Sequence, residues 1–306
     1  DCAGPTLGGV LACNLSGPRR IKAGAARDYF LGFRAVSGRG EIFKAGGKVV
    51  KNVTGYDLCK LMAGSHGTLA ALEEVTVKVL PRPEALATVL FDGVEPAAAT
   101  RLMAAALGSP HEVSGAAYLP AGTVLPLGLP IPEGTVALRV EGPAPSVAFR
   151  RDSLTREHGT VGTAQVLADS ESLALWRALG EIAPLAASGD RAVWRVSVVP
   201  SRGAELAEAI ARSLDATWFL DWGGGLVWAA IPDEGDAGAA AIRGAIPGPD
   251  RRGTGHATLV RGSPGLRRTL AVFEPQPAPL AALSRRVKDA FDPAHILNPG
   301  RMVEGS

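Results

Sequence analysis

Gly46-Gly47-Lys48-Val49-Val50-Lys51-Asn52-Val53-Thr54-Gly55-Tyr56-Asp57-Leu58, then Gly64-Ser65-His66-Gly67-Thr68-Leu69 and a stretch ending at Pro81, carry the most structural information in this chain. The run reads as a buried strand or turn, a short helix, a glycine loop and a second strand. Leu58, Leu61 and Met62 share one helical face. Thr54 stands three residues before Asp57, close to a capping box, and Gly64 is placed to end the helix in a left-handed conformation. Val75, Val77 and Val79 alternate with polar neighbours and stop at Pro81 and Pro83, as a strand does. Small residues at Gly64, Ser65, Gly67 and Thr68 let backbone N–H groups approach something flat or anionic.

Working outward, Leu31, Phe33 and Ala35 alternate, Ser37-Gly38-Arg39-Gly40 supplies a turn, and Ile42-Phe43 begins a return strand, predicting a hairpin. Pro81-Arg82-Pro83 reads as a hinge. Beyond it, strands at 88–91, 136–140 and 194–198 alternate with helices at 95–107, 144–158 and one that Ser170 can cap, whose stripe is Leu173, Trp176, Leu179 and Ile182. Gly223-Gly224-Gly225 suits a hairpin between 218–220 and 226–231. Residues 262–279 read as a surface excursion, and Leu280, Leu283, Val287 and Phe291 line a last helix. The expected class is α+β, with a largely antiparallel sheet and helices on one face. No internal repeat stands out. The expected organisation is 1–84, an interposed cap over 85–288, and a tail over 289–306 that returns to the first part.

Bulk properties narrow the function. A chain of 306 residues with 46% hydrophobic composition has ample material for a packed core. A net charge of +2 argues against nucleic acid as a partner, which would demand a basic face. Three cysteines, Cys2, Cys13 and Cys59, have neither disulfide nor zinc spacing, which suits a reducing compartment. No apolar run approaches the roughly 18 residues of a membrane span. Gly46-Gly47-Lys48 lacks the Ser or Thr and the earlier glycine of a P-loop.

Five blocks, in order along nearly the whole chain, carry a family resemblance. They are Thr6-Leu7-Gly8-Gly9 with Asn14, Ser16-Gly17-Pro18-Arg19-Arg20 and Arg27-Asp28; the Lys51-to-Asp57 run; Asp221-Trp222-Gly223-Gly224; Gly255-His256-Ala257-Thr258; and Asp292-Pro293 with Ile296-Leu297-Asn298-Pro299-Gly300-Arg301-Met302. The chain resembles the FAD-binding proteins of the vanillyl-alcohol-oxidase, or p-cresol methylhydroxylase (PCMH), type. Within that type it is most similar to the E-subunit family of bacterial glycolate oxidases. The resemblance implies that 1–84 is the second part of a PCMH-type FAD domain. An earlier subdomain with a glycine-rich pyrophosphate loop precedes this point in the family, and the chain opens at Asp1. The expectation is therefore a chain truncated at its N-terminus that holds FAD poorly by itself.

The same resemblance carries over FAD contacts at Thr6, Gly8, Gly9, Asn14, Ser16, Gly17 and Gly24, where the bare alternative is a tight turn without a ligand. Arg19, Arg20, Lys22 or Arg27 would meet flavin or a substrate carboxylate; otherwise they form a solvated basic loop. Lys51, Asn52, Thr54 and Tyr56 would wall the flavin pocket, or simply cap a helix. Gly64, Ser65 and Gly67 would approach the cofactor, although Ala70 and Glu73 replace a glycine and a threonine of the family pattern. Asn298 belongs to the returning tail. His256 could take the hydroxyl proton of a 2-hydroxy acid while hydride leaves its carbon, or could merely satisfy loop hydrogen bonds.

Two readings follow. One is a subunit that oxidises a small 2-hydroxy acid, glycolate to glyoxylate, with a related FAD-linked catalytic subunit and an iron–sulfur subunit as partners. The other is a structural subunit that keeps the flavin fold for assembly. The expected location is cytoplasmic, at most peripheral on the inner face of the plasma membrane.

Overall fold

The computed structural model describes residues 4–50, 55–124, 131, 133–246 and 255–302. It divides into two compact units. The first comprises Asp1–Ser16, Gly24–Pro81 and Pro275–Ser306; the second comprises Gly17–Ala23 and Arg82–Glu274.

In the first unit, β1 (Phe30–Ser37) lies between β2 (Ile42–Gly46) and β3 (Ala70–Val77) in an antiparallel sheet. The expected hairpin is present, closed where Ser37 N–H donates to Glu41 O at 3.0 Å. Phe33 and Ala35 turn inward to join Leu11, Phe30, Cys59, Met62 and Leu69. Phe30, Phe33, Phe43 and Phe291 form a chain of rings with centroids 5.5–6.0 Å apart. The short helix runs over Leu58–Met62 and is capped by Asp57, whose carboxylate accepts Lys60 N–H. Its inward face is Cys59 and Met62, whereas Leu61 is exposed, because barely more than one turn is present and the three-residue spacing of 59 and 62 meets the sheet. Gly64 ends the helix at φ +88°, as expected.

Helix Ala278–Phe291, assigned from sequence to the cap, belongs to the first unit. Val287 and Phe291 complete its core, while Leu280 and Leu283, expected on the same inward stripe, are exposed. Lys288 Nζ donates to Thr68 O and Leu297 O, both at 2.9 Å, and to Asp292 Oδ2. Asp292 in turn accepts the N–H groups of Ile296 at 3.1 Å and Leu297 at 2.8 Å. This ion pair, with Lys288 6% and Asp292 0% exposed, ties the tail to the glycine loop.

Gly46 closes β2 at φ +70°, and a Cβ there would lie 2.1 Å from Leu31 O. Gly46→Ala is therefore expected to lower stability by more than about 1 kcal/mol, because the left-handed strain and the backbone clash act together. A urea titration of the whole chain measures it.

The second unit contains β4 (Ala85–Asp92), β5 (Gly115–Leu119), β6 (Thr135–Gly142), β7 (Thr163–Ala168), β8 (Ala192–Val198), β9 (Thr217–Asp221), β10 (Leu226–Ile231) and β11 (Gly255–Arg261). They form one sheet in the order β11-β8-β10-β9-β5-β6-β4-β7, antiparallel at every pairing. Helices Pro96–Leu107, Ala144–His158, Gly203–Ser213 and Ala239–Ala245 pack on one face, where Met103, Leu154, Ile210 and Ile242 meet Phe91, Leu138, Trp194 and Val227. The other face is also covered in part, which corrects the one-faced expectation. Helix Asp169–Gly180 lays Leu175, Trp176 and Leu179 on Leu90, Ala117 and Leu119. Trp176 Nε1 donates to Thr88 Oγ1 at 2.8 Å. Leu173 faces out, and Asp169 rather than Ser170 opens the helix, its carboxylate accepting Leu86 N–H at 3.2 Å.

The path strand–helix–strand–strand–helix–strand occurs twice. β4 to β7 lie in the order β7-β4-β6-β5, and β8 to β11 in the order β11-β8-β10-β9. Each set is a split βαβ unit of ferredoxin-like type. They abut through β5 and β9, at Tyr118 and Leu220, about a pseudo-twofold axis. The registers match: Leu90 lies across from Ala137, and Ala137 from Ala117, just as Arg195 lies across from Trp228, and Trp228 from Phe219. The sequence does not announce this duplication, since the paired positions share little chemistry.

Candidate functional site

In the first unit, Thr6, Gly8, Gly9, His66 and Gly67 line a cavity of about 900 Å³ with the tail Leu297–Arg301. The Gly8-Gly9 pair, expected in a turn, forms the first turn of helix Leu7–Ala12, because Thr6 adopts extended backbone and its Oγ1 accepts Gly9 N–H at 3.1 Å. A Cβ at Gly8 would find no neighbour nearer than Leu72 Cβ at 3.9 Å, so a side chain there would enter the cavity. Asn298 Nδ2 donates to His66 O at 2.8 Å and sets the tail against Gly67. Burial, and then the Arg301 charge, hold the His66 imidazole below its ordinary pKa, hence neutral at neutral pH.

Other residues singled out from sequence lie elsewhere. Asn14 Oδ1 accepts Arg27 N–H at 3.0 Å and Ser16 Oγ accepts Ala26 N–H at 3.3 Å, so both side chains brace the turn that follows Gly24. Gly64 and Ser65 line a separate, apolar cavity of about 350 Å³ with Leu69, Val287 and Met302. Tyr56 is 95% exposed and packs on nothing in its unit. Lys51, Asn52 and Thr54 lie outside the described residues.

Gly17 and Arg19 belong to the second unit. Arg19 forks onto Glu141 Oε1 at 2.9 and 2.6 Å, and Arg139 Nη2 reaches Glu141 Oε2 at 3.0 Å. Lys22 pairs with Glu112 at 3.0 Å. These ion pairs replace the free basic loop of the plain sequence reading. Gly17 O accepts Trp222 Nε1–H at 3.2 Å. The Trp222 ring carries two guanidinium groups, Arg20 at 4.5 Å and Arg195 at 5.0 Å from its centroid. His256 stands on β11, with its strand partner Ser197 two residues along β8 from Arg195. Burial lowers the His256 pKa, Arg195 and Arg20 lower it further, and Glu274 pulls the other way. Asp221, 2% exposed, is pushed up to about 7 by burial, although it accepts Trp222 N–H at 2.7 Å. Sequence reasoning missed Arg195. Its signal was a lone charge in the run Val193-Trp194-Arg195-Val196, on a strand whose apolar residues are all buried.

Across 97% of its length this chain is 32% identical to glycolate oxidase subunit GlcE of Escherichia coli, and it spans 71% of that relative. The chain belongs to the FAD-linked oxidase family. The family's model for the C-terminal domain of FAD-linked oxidases matches residues 268–302, which hold the last helix and the Asp292-to-Met302 tail. Glycolate oxidase subunit GlcD of Bacillus subtilis is 42% identical over 97 residues, which cover 31% of this chain and 21% of that relative. The fold resembles a solved structure of alkyldihydroxyacetonephosphate synthase, with a TM-score of 0.59 at 15% identity over 96% of this chain and 58% of that one. That likeness concerns the fold alone. In this chain the Thr6-to-Gly9 block and the Asn298-to-Arg301 tail both contribute to the lining of the first unit's cavity.

Proposed function

We propose that this chain binds FAD as a subunit of a complex that oxidises a small 2-hydroxy acid, glycolate to glyoxylate, and passes the electrons to an iron–sulfur partner. The observation that carries the reading is the first unit's cavity, whose wall is backbone rather than side chain at Gly8, Gly9 and Gly67. Such a wall lets the backbone and the Arg301 guanidinium approach a pyrophosphate or a flat ring. Bound FAD would accept hydride from C2 of the acid. The chain's own task is to hold the acid and take the hydroxyl proton. A neutral His256 Nε2 or Nδ1 is able to accept that proton, leaving a C=O where the C–OH was. The related FAD-linked subunit and the iron–sulfur subunit belong to the same proposal, as does a cytoplasmic location. No helix among the described residues is long and apolar enough to cross a membrane.

One observation favours a structural subunit instead: Asn14 and Ser16 spend their side chains on backbone and Tyr56 stands free of its unit. The assembled complex separates the two readings. Its visible spectrum should show flavin on this subunit. Gly9→Val inserts a branched side chain 3.3 Å from Thr6 Oγ1 at the cavity wall. Overpacking of about 1–3 kcal/mol should weaken flavin binding roughly 10- to 100-fold. Glycolate-dependent dye reduction should fall in step. Flavin lost with turnover intact would point to the structural subunit, and full flavin occupancy in Gly9→Val would refute the pocket.

A further inference from the structure

We propose that Arg195, with Arg20 and His256, forms a carboxylate-binding site on the sheet face of the second unit, where the acid group of the 2-hydroxy acid is held. The identity of the ligand rests on the function proposed above; the site itself rests on three observations.

The first is the pairing of cations. Arg139 reaches Glu141, Arg150 donates to the carbonyls of Ser146, His111 and Glu141, Arg191 pairs with Asp215, and Arg243 reaches Glu274. Arg195 and Arg20 make no ion pair among the described residues and only stack on Trp222. A guanidinium laid on an indole is held in plane with its N–H edge free, the arrangement that receives a carboxylate fork.

The second is the duplication, which works as an internal control. Aligning the repeats end to end on the five-residue strands β5 and β9, and following the registers outward, places Leu90 where Arg195 stands, Leu119 where Asp221 stands and Thr163 where His256 stands. In the first repeat Leu90 and Leu119 pack into an ordinary apolar layer. The architecture therefore does not require charge at these positions. A half-buried arginine without an anion is costly, and the repeat shows that leucine would serve the fold.

The third is the local field. His256 is held neutral by burial and by Arg195 and Arg20, and Glu274 is the carboxylate that acts against them. Glu274 is itself engaged, accepting Ala257 N–H at 3.0 Å and standing 3.7 Å from Arg243. The face thus offers positive potential to an incoming anion.

The test uses the whole chain, titrated with glycolate, with acetate and with inorganic phosphate while heat and tryptophan fluorescence are followed. Glycolate and acetate should bind and phosphate should compete poorly. Arg195→Leu, which installs the residue of the first repeat, should lower glycolate affinity roughly 10- to 100-fold, as loss of charge-assisted hydrogen bonds does. Arg195→Lys should fall between. Should the leucine variant not fold, Arg20→Gln gives the same reading with a smaller loss. Unchanged glycolate affinity in these variants, no glycolate binding by the parent chain, or a preference for phosphate would overturn the site. Flavin content, read from the same samples, keeps the two ideas apart. Arg195-dependent glycolate binding without flavin would leave the site standing and remove the cofactor reading, and flavin with Arg195-independent binding would do the reverse.

Discussion

Asp292→Ala is expected to destabilise the first unit by about 3–5 kcal/mol, the cost of stranding a buried charge. The carboxylate is fully buried and holds Lys288 Nζ together with the Ile296 and Leu297 amides. Removing it leaves a buried ammonium with only the carbonyls of Thr68 and Leu297, and releases the turn that carries Asn298 to His66. Replacing both partners, as Lys288→Met with Asp292→Leu, should cost much less, since two apolar side chains strand no charge. Urea titrations of the two singles and the double at neutral pH give the coupling directly. The pair also has a pH signature. Burial pushes the Asp292 carboxyl up, but Lys288 and the two amides outweigh it and hold the pKa below the ordinary value. Its contribution is therefore present above the unfolded pKa, near 4, and lost as pH falls through the lower folded value.

Asp221 should show the opposite slope. Burial raises its pKa to about 7, so the folded chain keeps the proton after the unfolded chain has released it. Between about pH 4 and 7 the unfolded state binds fewer protons, and stability falls as pH rises. The full decline is on the order of 4 kcal/mol. Asp221→Asn retains an acceptor for Trp222 N–H and has nothing to ionise. It should match the parent below about pH 4 and exceed it increasingly up to pH 7, with a constant gap beyond. Thermal unfolding of both chains across this range measures the difference. A parallel pair of curves would mean that Asp221 titrates normally.

The local rules were legible where a residue type has one physical use. The Ser37–Gly40 turn, the left-handed Gly64 and the apolar alternation of β8 follow from glycine, proline and periodicity alone. What escaped depended on distant chain. Leu61, Leu173, Leu280 and Leu283 have the right spacing for inward faces, yet they face out: Cys59 and Lys288 take inward positions that apolar spacing does not reveal, and Trp176, on the expected stripe, is pinned by its bond to Thr88. The second helical layer was hidden because Thr88, Gly115 and Ala117 look unremarkable until Trp176 lies over them. The same holds for the sites. The glycine block and tail stood out in sequence, and they do line one cavity. Asn14 and Ser16, carried over from the resemblance as cofactor contacts, accept backbone N–H groups, a second use that small polar residues serve equally well and that sequence does not disclose. Arg195 was overlooked because a single charge on a strand carries no pattern, and only the register against Leu90 gives it a reference.

The interruption of the first unit by the second sets an order of events during translation. Ribosomes deliver residues at about 5–20 per second and domains fold as units. The sheet of the second unit has all its strands once Arg261 has emerged, whereas β1 to β3 are made early and lack their last hydrophobic wall until Val287 and Phe291 arrive. Residues 24–81 thus wait for roughly two hundred further residues with Phe33 and Met62 under-covered, an interval of about 10–40 seconds at that rate. Nascent chains halted before residue 278 should consequently hold a protease-resistant second unit and a digestible first one, and chaperone demand should concentrate on residues 24–81.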